Sequence, residues 1–196
     1  FPDFNFSKNI YLDESYNGNF QFLSTGFQKV YETNKYEALI NNDFNFNSFD
    51  YISKEGIVSD YSLLLKNFNS YSENSTVYEK KNDHEIFGTL LLKSELPLKK
   101  ELENSTNFLK PILQLRVSPT NGKNISSSDT RIEFDNLFSA NRIGRSDMVE
   151  KGSSLSLGIE YEKQVEKENL INEKILGFSL GNVLKYKKND SLPLKS

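Results

Sequence analysis

The sequence predicts an all-β protein, an antiparallel meander of about eight long amphipathic strands. Alanine occurs only at Ala38 and Ala140, whereas Phe, Tyr, Ile, Leu and Thr recur between runs of Asn, Ser, Asp and Lys. This is the composition of strands and turns rather than of helices. Apolar and polar residues also alternate along several segments. Since no helix-length segment separates consecutive strands, the sheet should be antiparallel and contain no parallel crossovers.

Alternation and turn residues place each strand in order. The predicted strands run near 18–32, 36–51, 57–71, 85–97, 108–118, 130–137, 153–166 and 174–187. Tight connections at 34–35 and 53–56 contrast with longer polar ones at 72–83, 119–129 and 139–152. The apolar face is clearest in three strands, where every second residue is large and apolar. Its defining positions there are Leu113, Leu115, Leu155, Leu157, Ile159, Phe178 and Leu180.

Composition excludes several classes of protein. The chain has 196 residues, a formal net charge of −3 and no Cys. Such a charge gives no basic face for nucleic acid, and without cysteine there is neither a disulfide framework nor a thiolate metal site. No apolar run approaches the roughly 18 residues of a membrane-spanning helix. The hydrophobic fraction of 36% is below the roughly 45–50% of an ordinary soluble domain.

Two architectures fit this pattern. A soluble sandwich or barrel buries its apolar face inside, with strands of about five or six residues. A transmembrane barrel turns its apolar face toward lipid, with strands of about ten residues and a polar lumen. Strand length and low apolar content favour the barrel, in which the seven residues named above would face lipid. The pattern alone leaves the sandwich open.

The candidate catalytic motifs are weak. The segment GFSLG at 177–181 matches a nucleophile elbow, but that motif requires a helix after Ser179 and a downstream histidine. The only histidine, His84, lies upstream in a hydrophilic stretch predicted as a loop. Asp129, Glu133 and Asp135 could share one strand face and bind calcium, although a polar lumen face explains them better. We therefore expect no enzyme, no cofactor and no metal.

The segments LKPILQLRVSP (109–119), SDTRIEFDNLF (128–138), NRIGRSD (141–147) and EKG (150–152) follow one another in this order. Their succession resembles the LptD family of lipopolysaccharide-assembly outer-membrane proteins, also called organic solvent tolerance proteins. The family pattern has a proline-containing strand, an acidic stretch ending in D-x-N-L-F, a loop with N-R-x-x-G-x-D-R, and then a glycine-led strand. The positions that carry the resemblance are Pro111, Asp129, Asn136, Leu137, Phe138, Arg142, Gly144, Asp147, Gly152 and Gly181.

The resemblance covers residues 1–196 and is strongest over 109–186. Met148 stands where the family usually has arginine, which puts any salt bridge of that arginine in doubt, and Asn182 stands where glutamine is usual. By the same resemblance, the periplasmic domain, the first and last barrel strands and the cysteines of the family are missing. The chain is thus expected to be an internal part of the C-terminal β-barrel, open as excerpted.

The resemblance implies a non-catalytic part of the translocon that inserts lipopolysaccharide into the outer leaflet of a bacterial outer membrane. The implied partners are lipopolysaccharide, an LptE-like plug lipoprotein, an LptA-like periplasmic bridge and outer-membrane lipid. Because the lateral seam of the family lies between strands that are missing here, the chain should form wall and loops without a gate. The alternatives are a soluble β-sandwich binding module and, less favoured, a serine hydrolase using Ser179.

Overall fold

The computed structural model describes residues 2–11, 16–76, 78, 82–119, 131–166 and 172–187. Ten strands in these residues form one antiparallel sheet, and one short helix, α1 (Phe134–Leu137), lies between the eighth and ninth strands. The strands are β1 (Asp3–Tyr11), β2 (Gly18–Val30), β3 (Tyr36–Ser48), β4 (Tyr51–Ile52), β5 (Val58–Glu73), β6 (Asn82–Glu95), β7 (Leu98–Leu102), β8 (Ser105–Ser118), β9 (Gly152–Glu166) and β10 (Asn172–Lys185). The predicted all-β meander is confirmed.

Sheet order follows chain order. The strands pair as β1-β2-β3-β5-β6-β8-β9-β10, while β4 pairs with β5 and β7 pairs with β8. β6 and β7 keep one register against β8, since Glu95 pairs with Ile112 and Leu98 with Leu109. β1 and β10 lie at the two edges and do not pair with each other, so the described sheet is not closed. A sandwich needs two packed sheets, whereas all the described strands lie in one.

The register gives the sheet two faces of opposite character. Leu113 pairs with Leu157 and points to one side, which we call the open face; Gln114 pairs with Ser156 on the other side, which we call the covered face. Gln114 and Ser156 are 1% and 0% exposed, whereas Leu113 is 45% exposed. On β8 and β9 large apolar side chains are therefore exposed on one face and polar side chains are buried on the other, while the covered face of β3, β5 and β6 also contains buried apolar residues such as Phe68 and Phe87.

The predicted strand at 130–137 is wrong, because residues 134–137 form α1. Asn136 closes the turn: the Glu133 backbone N–H donates to Asn136 Oδ1 at 2.9 Å, and Asn136 Nδ2 donates to the Arg131 carbonyl at 3.0 Å. Phe134, Leu137 and Phe138 have the i, i+3, i+4 spacing of one helix face. That face packs on the sheet, so tertiary contact overrides the short alternation in the sequence.

Some further differences concern local placement. β1 and β7 were not predicted as strands, β4 follows β3 as a separate short strand where one strand was predicted over 36–51, and His84 lies in β6 rather than in a loop. The interruption between β6 and β7 falls at Leu96 and Pro97, where the Leu96 N–H still donates to the Pro111 carbonyl at 3.1 Å. Within the described ranges, the structure contains no helix with the length and apolarity needed to cross a membrane.

Two glycines on the covered face make room for α1. A methyl group added at Gly158 would lie 2.5 Å from Phe138 Cζ, and one added at Gly181 would collide with Leu137 Cδ2. Gly181, the last residue of the GFSLG segment, is thus a position that another element, α1, approaches closely.

We predict that Gly158→Ala lowers the free energy of unfolding by about 1–3 kcal/mol, because the Phe138 ring must leave its place. Gly88→Ala is the matched control: the nearest atom, Leu65 Cδ2, would be 3.5 Å from the new methyl. A strand glycine replaced without a clash should gain up to about 1 kcal/mol. Urea unfolding of the folded chain in detergent micelles measures both variants. Equal effects of the two substitutions would contradict this packing.

Candidate functional site

Residues 131–151, here called the covering segment, lie across the covered face of the sheet. The sequence predicted a long polar connection at 139–152, and its position on the surface is wrong, because much of this stretch is buried. The buried side chains are those of Leu137, Arg142, Ile143, Asp147, Met148, Val149 and Glu150. The segment therefore belongs to the packed interior on this side of the sheet.

An apolar cluster holds the middle of the covering segment. Ile143, Met148 and Val149 pack with buried side chains of β3, β5 and β6, namely Leu39, Leu64, Phe68 and Phe87. Met148, at the position where the resemblance leads one to expect arginine, is 1% exposed within this cluster. The side chain at this position therefore takes part in apolar packing, and Met148 makes no salt bridge such as the family's arginine could make.

A buried ion pair closes the segment on itself. Arg142 Nη2 donates to Glu150 Oε1 at 2.8 Å, and Arg142 Nε donates to Glu150 Oε2. The same guanidinium donates to Ser154 Oγ on β9 at 3.0 Å. This bidentate geometry is the strong form of a charge-assisted pair. It links the middle of the segment to its C-terminal end and to the start of the following strand.

Side chains of β8 bind the backbone of the covering segment. Arg116 Nη2 donates to the Glu150 carbonyl at 2.7 Å and to the Ala140 carbonyl at 3.3 Å. Gln114 Nε2 donates to the Phe138 carbonyl at 2.7 Å. These bonds satisfy carbonyl groups that would otherwise be buried without partners. Polar residues of β8 therefore determine where the segment lies.

The charge of Glu150 depends on its neighbours. Burial by itself would raise the pKa of the Glu150 carboxyl, but the hydrogen bonds from Arg142 and the positive charges of Arg142, Arg116 and Lys185 outweigh it. The net result is a pKa below the usual range of a glutamate. Glu150 consequently remains a carboxylate at neutral pH and attracts the positive charges of Arg142, Arg116 and Lys185.

A tight turn in the segment requires a glycine. Gly144 has φ +68°, a left-handed conformation that glycine adopts at little cost. The Gly144 N–H donates to the Asn141 carbonyl at 3.0 Å, and Asn141 Nδ2 donates to the Arg145 carbonyl at 2.6 Å. Arg145 then holds Asp147 through two bonds of 2.8 Å. Arg145 and Asp147, which follow the turn, thus form an ion pair with each other.

The open face carries the apolar positions singled out from the sequence. Leu113, Leu115, Leu157, Ile159, Phe178 and Leu180 are exposed, and Leu155 is partly buried. Keeping one such side chain in water rather than burying it costs about 1.5–3 kcal/mol. Pro111 lies on this face and lines an apolar groove of about 600 Å³ together with Leu96, Leu113 and Leu180. A face of this kind requires apolar surroundings.

A protein-family model described as LptD, LPS transport system D, matches residues 1–174. The chain belongs to the LptD family. This confirms the resemblance found in the sequence and implies transport and assembly of lipopolysaccharide (LPS) in the outer membrane. No curated protein matches the chain significantly. The covering segment, its ion pair and the whole of β9 lie within the range matched by the LptD model.

The structure brings most of the LptD-like motif residues together. Asn136, Leu137, Phe138, Arg142, Gly144 and Asp147 lie in the covering segment, and Gly152 (φ +108°) begins β9. Gly181 lies beneath Leu137, Pro111 lies on the open face, and Asp129 is outside the described residues. Sequence reasoning missed Gln114, Arg116 and Glu150 as site residues. Gln114 and Arg116 both stand at polar positions of the alternating pattern in β8, and this pattern places them on one face of the strand.

The serine motif lies in a different setting from a nucleophile elbow. Ser179 is in the middle of β10, which continues to Lys185 with no helix after the serine. His84 is in β6, and β8 and β9 lie between that strand and β10. In the described part of this LptD-family chain, the two residues therefore do not meet.

We predict that breaking the buried ion pair is costly. Arg142→Met or Glu150→Gln should each lower the free energy of unfolding by about 3–5 kcal/mol, because each leaves an uncompensated buried charge or donor. The double variant should lose clearly less than the sum of the two. Urea unfolding of all four proteins in micelles gives the coupling. The control is Lys99→Met, whose partner Glu101 is exposed like Lys99 itself, and which should cost no more than about 1 kcal/mol. Strictly additive losses for Arg142 and Glu150 would contradict a direct pairing.

Proposed function

We propose that the chain forms a section of the wall of an outer-membrane LPS translocon, with its open face toward lipid and its covered face toward the lumen. The observation that carries the proposal is that polar and charged side chains are buried on one face of the sheet, whereas large apolar side chains are exposed on the other. Arg116 and Gln114 are 1% exposed on one side, whereas Leu180 is 65% exposed on the other. A barrel in lipid has this arrangement, because its outside is apolar and its interior polar.

The strand lengths support a membrane-crossing role. β5 has 16 residues, β9 has 15 and β10 has 14. About 9–11 residues suffice for a tilted strand to cross the hydrocarbon core. Each of these strands can therefore cross the bilayer and extend beyond it.

The position of the apolar band gives the tilt. On β5 the apolar residues of the open face centre on Leu63, and on β10 they centre on Leu180. Successive cross-strand partners lead from Leu63 through Leu90, Val117 and Ser153 to Tyr186. Tyr186 lies six residues beyond Leu180, the centre of the band on β10. Six residues are about 20 Å along a strand, and four strand spacings are about 19 Å. The strands thus incline about 45° to the band, close to the tilt of about 35–45° in outer-membrane barrels.

The covered face offers a polar surface next to the covering segment. On this face Lys110, Glu160, Glu162, Lys174 and Ser179 form the polar part of the lining of a groove of about 540 Å³, whose apolar part includes Leu109, Tyr161 and Phe178 of the open face. Two ion pairs cross it, Lys110 with Glu160 at 2.7 Å and Lys174 with Glu162 at 2.7 Å. Such a surface suits the phosphosugar headgroup of LPS, and the covering segment would narrow the lumen beside it. We place the LptE-like plug lipoprotein on this lumen side and the LptA-like bridge at the periplasmic end of the full assembly.

The proposed role involves no covalent chemistry, because moving a lipid from the lumen to the leaflet requires only an amphipathic surface. The chain would act through shape and polarity, with the open face in outer-membrane lipid. Ser179, on the lumen side of β10, would be a wall residue without a nucleophilic role.

Ile159→Arg tests the proposal in the protein as it occurs in its cell. A charge at the middle of the lipid-facing band should destabilise the wall by about 2–4 kcal/mol, so the amount of folded protein in the outer membrane and of LPS at the cell surface should both fall. Asn47→Arg is the matched control, since Asn47 is exposed on the covered face, where it pairs with Ser62 outside the polar groove, and it follows Phe46, the register partner of Leu63. It should leave both quantities near the wild-type level. Loss of LPS assembly with Asn47→Arg but not with Ile159→Arg would refute the proposed orientation.

A further inference from the structure

A row of polar side chains interrupts the apolar open face. Ser24 pairs with Asn42, Asn42 pairs with Asn67, and Asn69 pairs with His84. These residues therefore lie side by side across the neighbouring strands β2, β3, β5 and β6. We call this row the polar track; its members are Ser24, Asn42, Asn67, Asn69 and His84.

Hydrogen bonds join the polar track end to end. Ser24 Oγ donates to Asn42 Oδ1 at 2.7 Å, and Asn42 Nδ2 donates to Asn67 Oδ1 at 3.3 Å. Asn69 Nδ2 donates to the same Asn67 oxygen at 2.6 Å, and His84 Nδ1 lies 2.9 Å from Asn69 Oδ1. Mutual bonding lowers the cost of placing polar groups on an apolar surface.

The surroundings of the track are those of a lipid-facing wall. Asn42 lies between Ile40 and Phe44, which are exposed on the same face. Ile86, the register partner of Asn67, is 71% exposed. Polar side chains directed at hydrocarbon are expensive, and where they occur they mark functional contacts.

Hydrogen-bonding capacity remains at the β5 and β6 end of the track. Asn67 Nδ2 donates to no group in the described part of the chain, and the bond of His84 uses only Nδ1. The track itself contains amide, hydroxyl and imidazole groups and neither lysine nor arginine. A phosphate would be recognised by those cations, so the track fits neutral oxygen acceptors such as sugar hydroxyls.

The depth of the track fits the headgroup of a lipid. On β5 the apolar residues Leu63 and Leu65 give way to Asn67 and Asn69, and then to Tyr71. The Tyr71 ring contacts the Tyr36 ring edge-on, with centroids 5.6 Å apart, in the way that aromatic girdles mark the edge of the apolar band. A headgroup on Asn67 and Asn69 would leave acyl chains along Leu65, Leu63 and Leu90.

We propose that the polar track binds the sugar headgroup of a glycolipid on the outside of the wall, with the acyl chains lying on the adjoining leucines. This rests on the proposed membrane orientation of the open face. It adds a lipid contact on the outer wall, away from the lumen and the covering segment.

The test uses the full chain folded into vesicles of phosphatidylethanolamine and phosphatidylglycerol. Because the chain contains no Trp, Ile86→Trp provides a single energy donor beside the track. The probes are dansyl-labelled LPS lacking O-antigen and dansyl-labelled phosphatidylethanolamine. Energy transfer to labelled LPS should saturate, and transfer to the phospholipid should only follow its random surface density.

Asn67→Leu should raise the half-saturating LPS content about five-fold, the value of one hydrogen bond. Asn67→Gln keeps the amide and should stay within about two-fold of the parent. Asn182→Leu is the matched control: Asn182 is also an exposed asparagine of the open face, between Leu180 and Leu184.

The controls separate the possible failures. A blue-shifted tryptophan emission in lipid reports insertion; its absence in the Ile86→Trp parent would refute the membrane wall itself. Insertion with equal transfer to both lipids, or with no effect of Asn67→Leu, would overturn the glycolipid site alone. Chain-to-chain cross-linking through the track would overturn it in favour of a protein contact. If Asn67→Leu does not insert, the decision rests on Asn67→Gln. A half-saturating LPS content of that variant within about two-fold of the parent supports the site, and a larger change overturns it.

Discussion

The two faces of one sheet differ in the side chains that they expose, and the rest of the structure depends on that contrast. Leu113 and Gln114 are neighbours in sequence, yet the leucine is exposed and the glutamine is buried. In a water-soluble sheet the free energy of transfer would drive the opposite arrangement. With lipid outside, as proposed above, the leucines would be satisfied where they are. The low apolar content of the chain would then follow, because only part of the covered face, around Phe68 and Phe87, has to be filled with an apolar partner.

The covering segment follows from the same contrast. A polar face directed inward contains donors that need acceptors, and the carbonyl groups of the segment meet Arg116 and Gln114. The Arg142–Glu150 pair then folds the segment over the wall without exposing either charge, while Met148 and its neighbours supply an apolar contact. Polar anchoring and apolar packing thus both hold the covering segment. The polar track shows the opposite combination, a row of polar side chains on the apolar open face.

Much of this could be predicted from the sequence, since alternation at positions such as Leu157 and Ile159 specifies both a strand and its faces. α1 could not, because Ile132 and Phe134 fit a period of two while Phe134, Leu137 and Phe138 fit a helix, and only the glycines beneath them decide between these. Glu150 was missed because its partner becomes visible only once the segment folds back. At Met148 the resemblance drew attention to a lost charge, whereas the structure contains a packed side chain.

The orientation of β9 is the central claim, and spin-label accessibility in the folded protein in its membrane tests it most directly. The absence of Cys allows single labels at Leu157 and Ile159 on the open face and at Glu160 and Glu162 on the other. The account predicts alternation along the strand, with the first pair colliding with oxygen dissolved in lipid and the second with a water-soluble nickel chelate. Labels at Leu157 and Ile159 that meet the chelate, or that are shielded from both reagents as in a sandwich core, would contradict it.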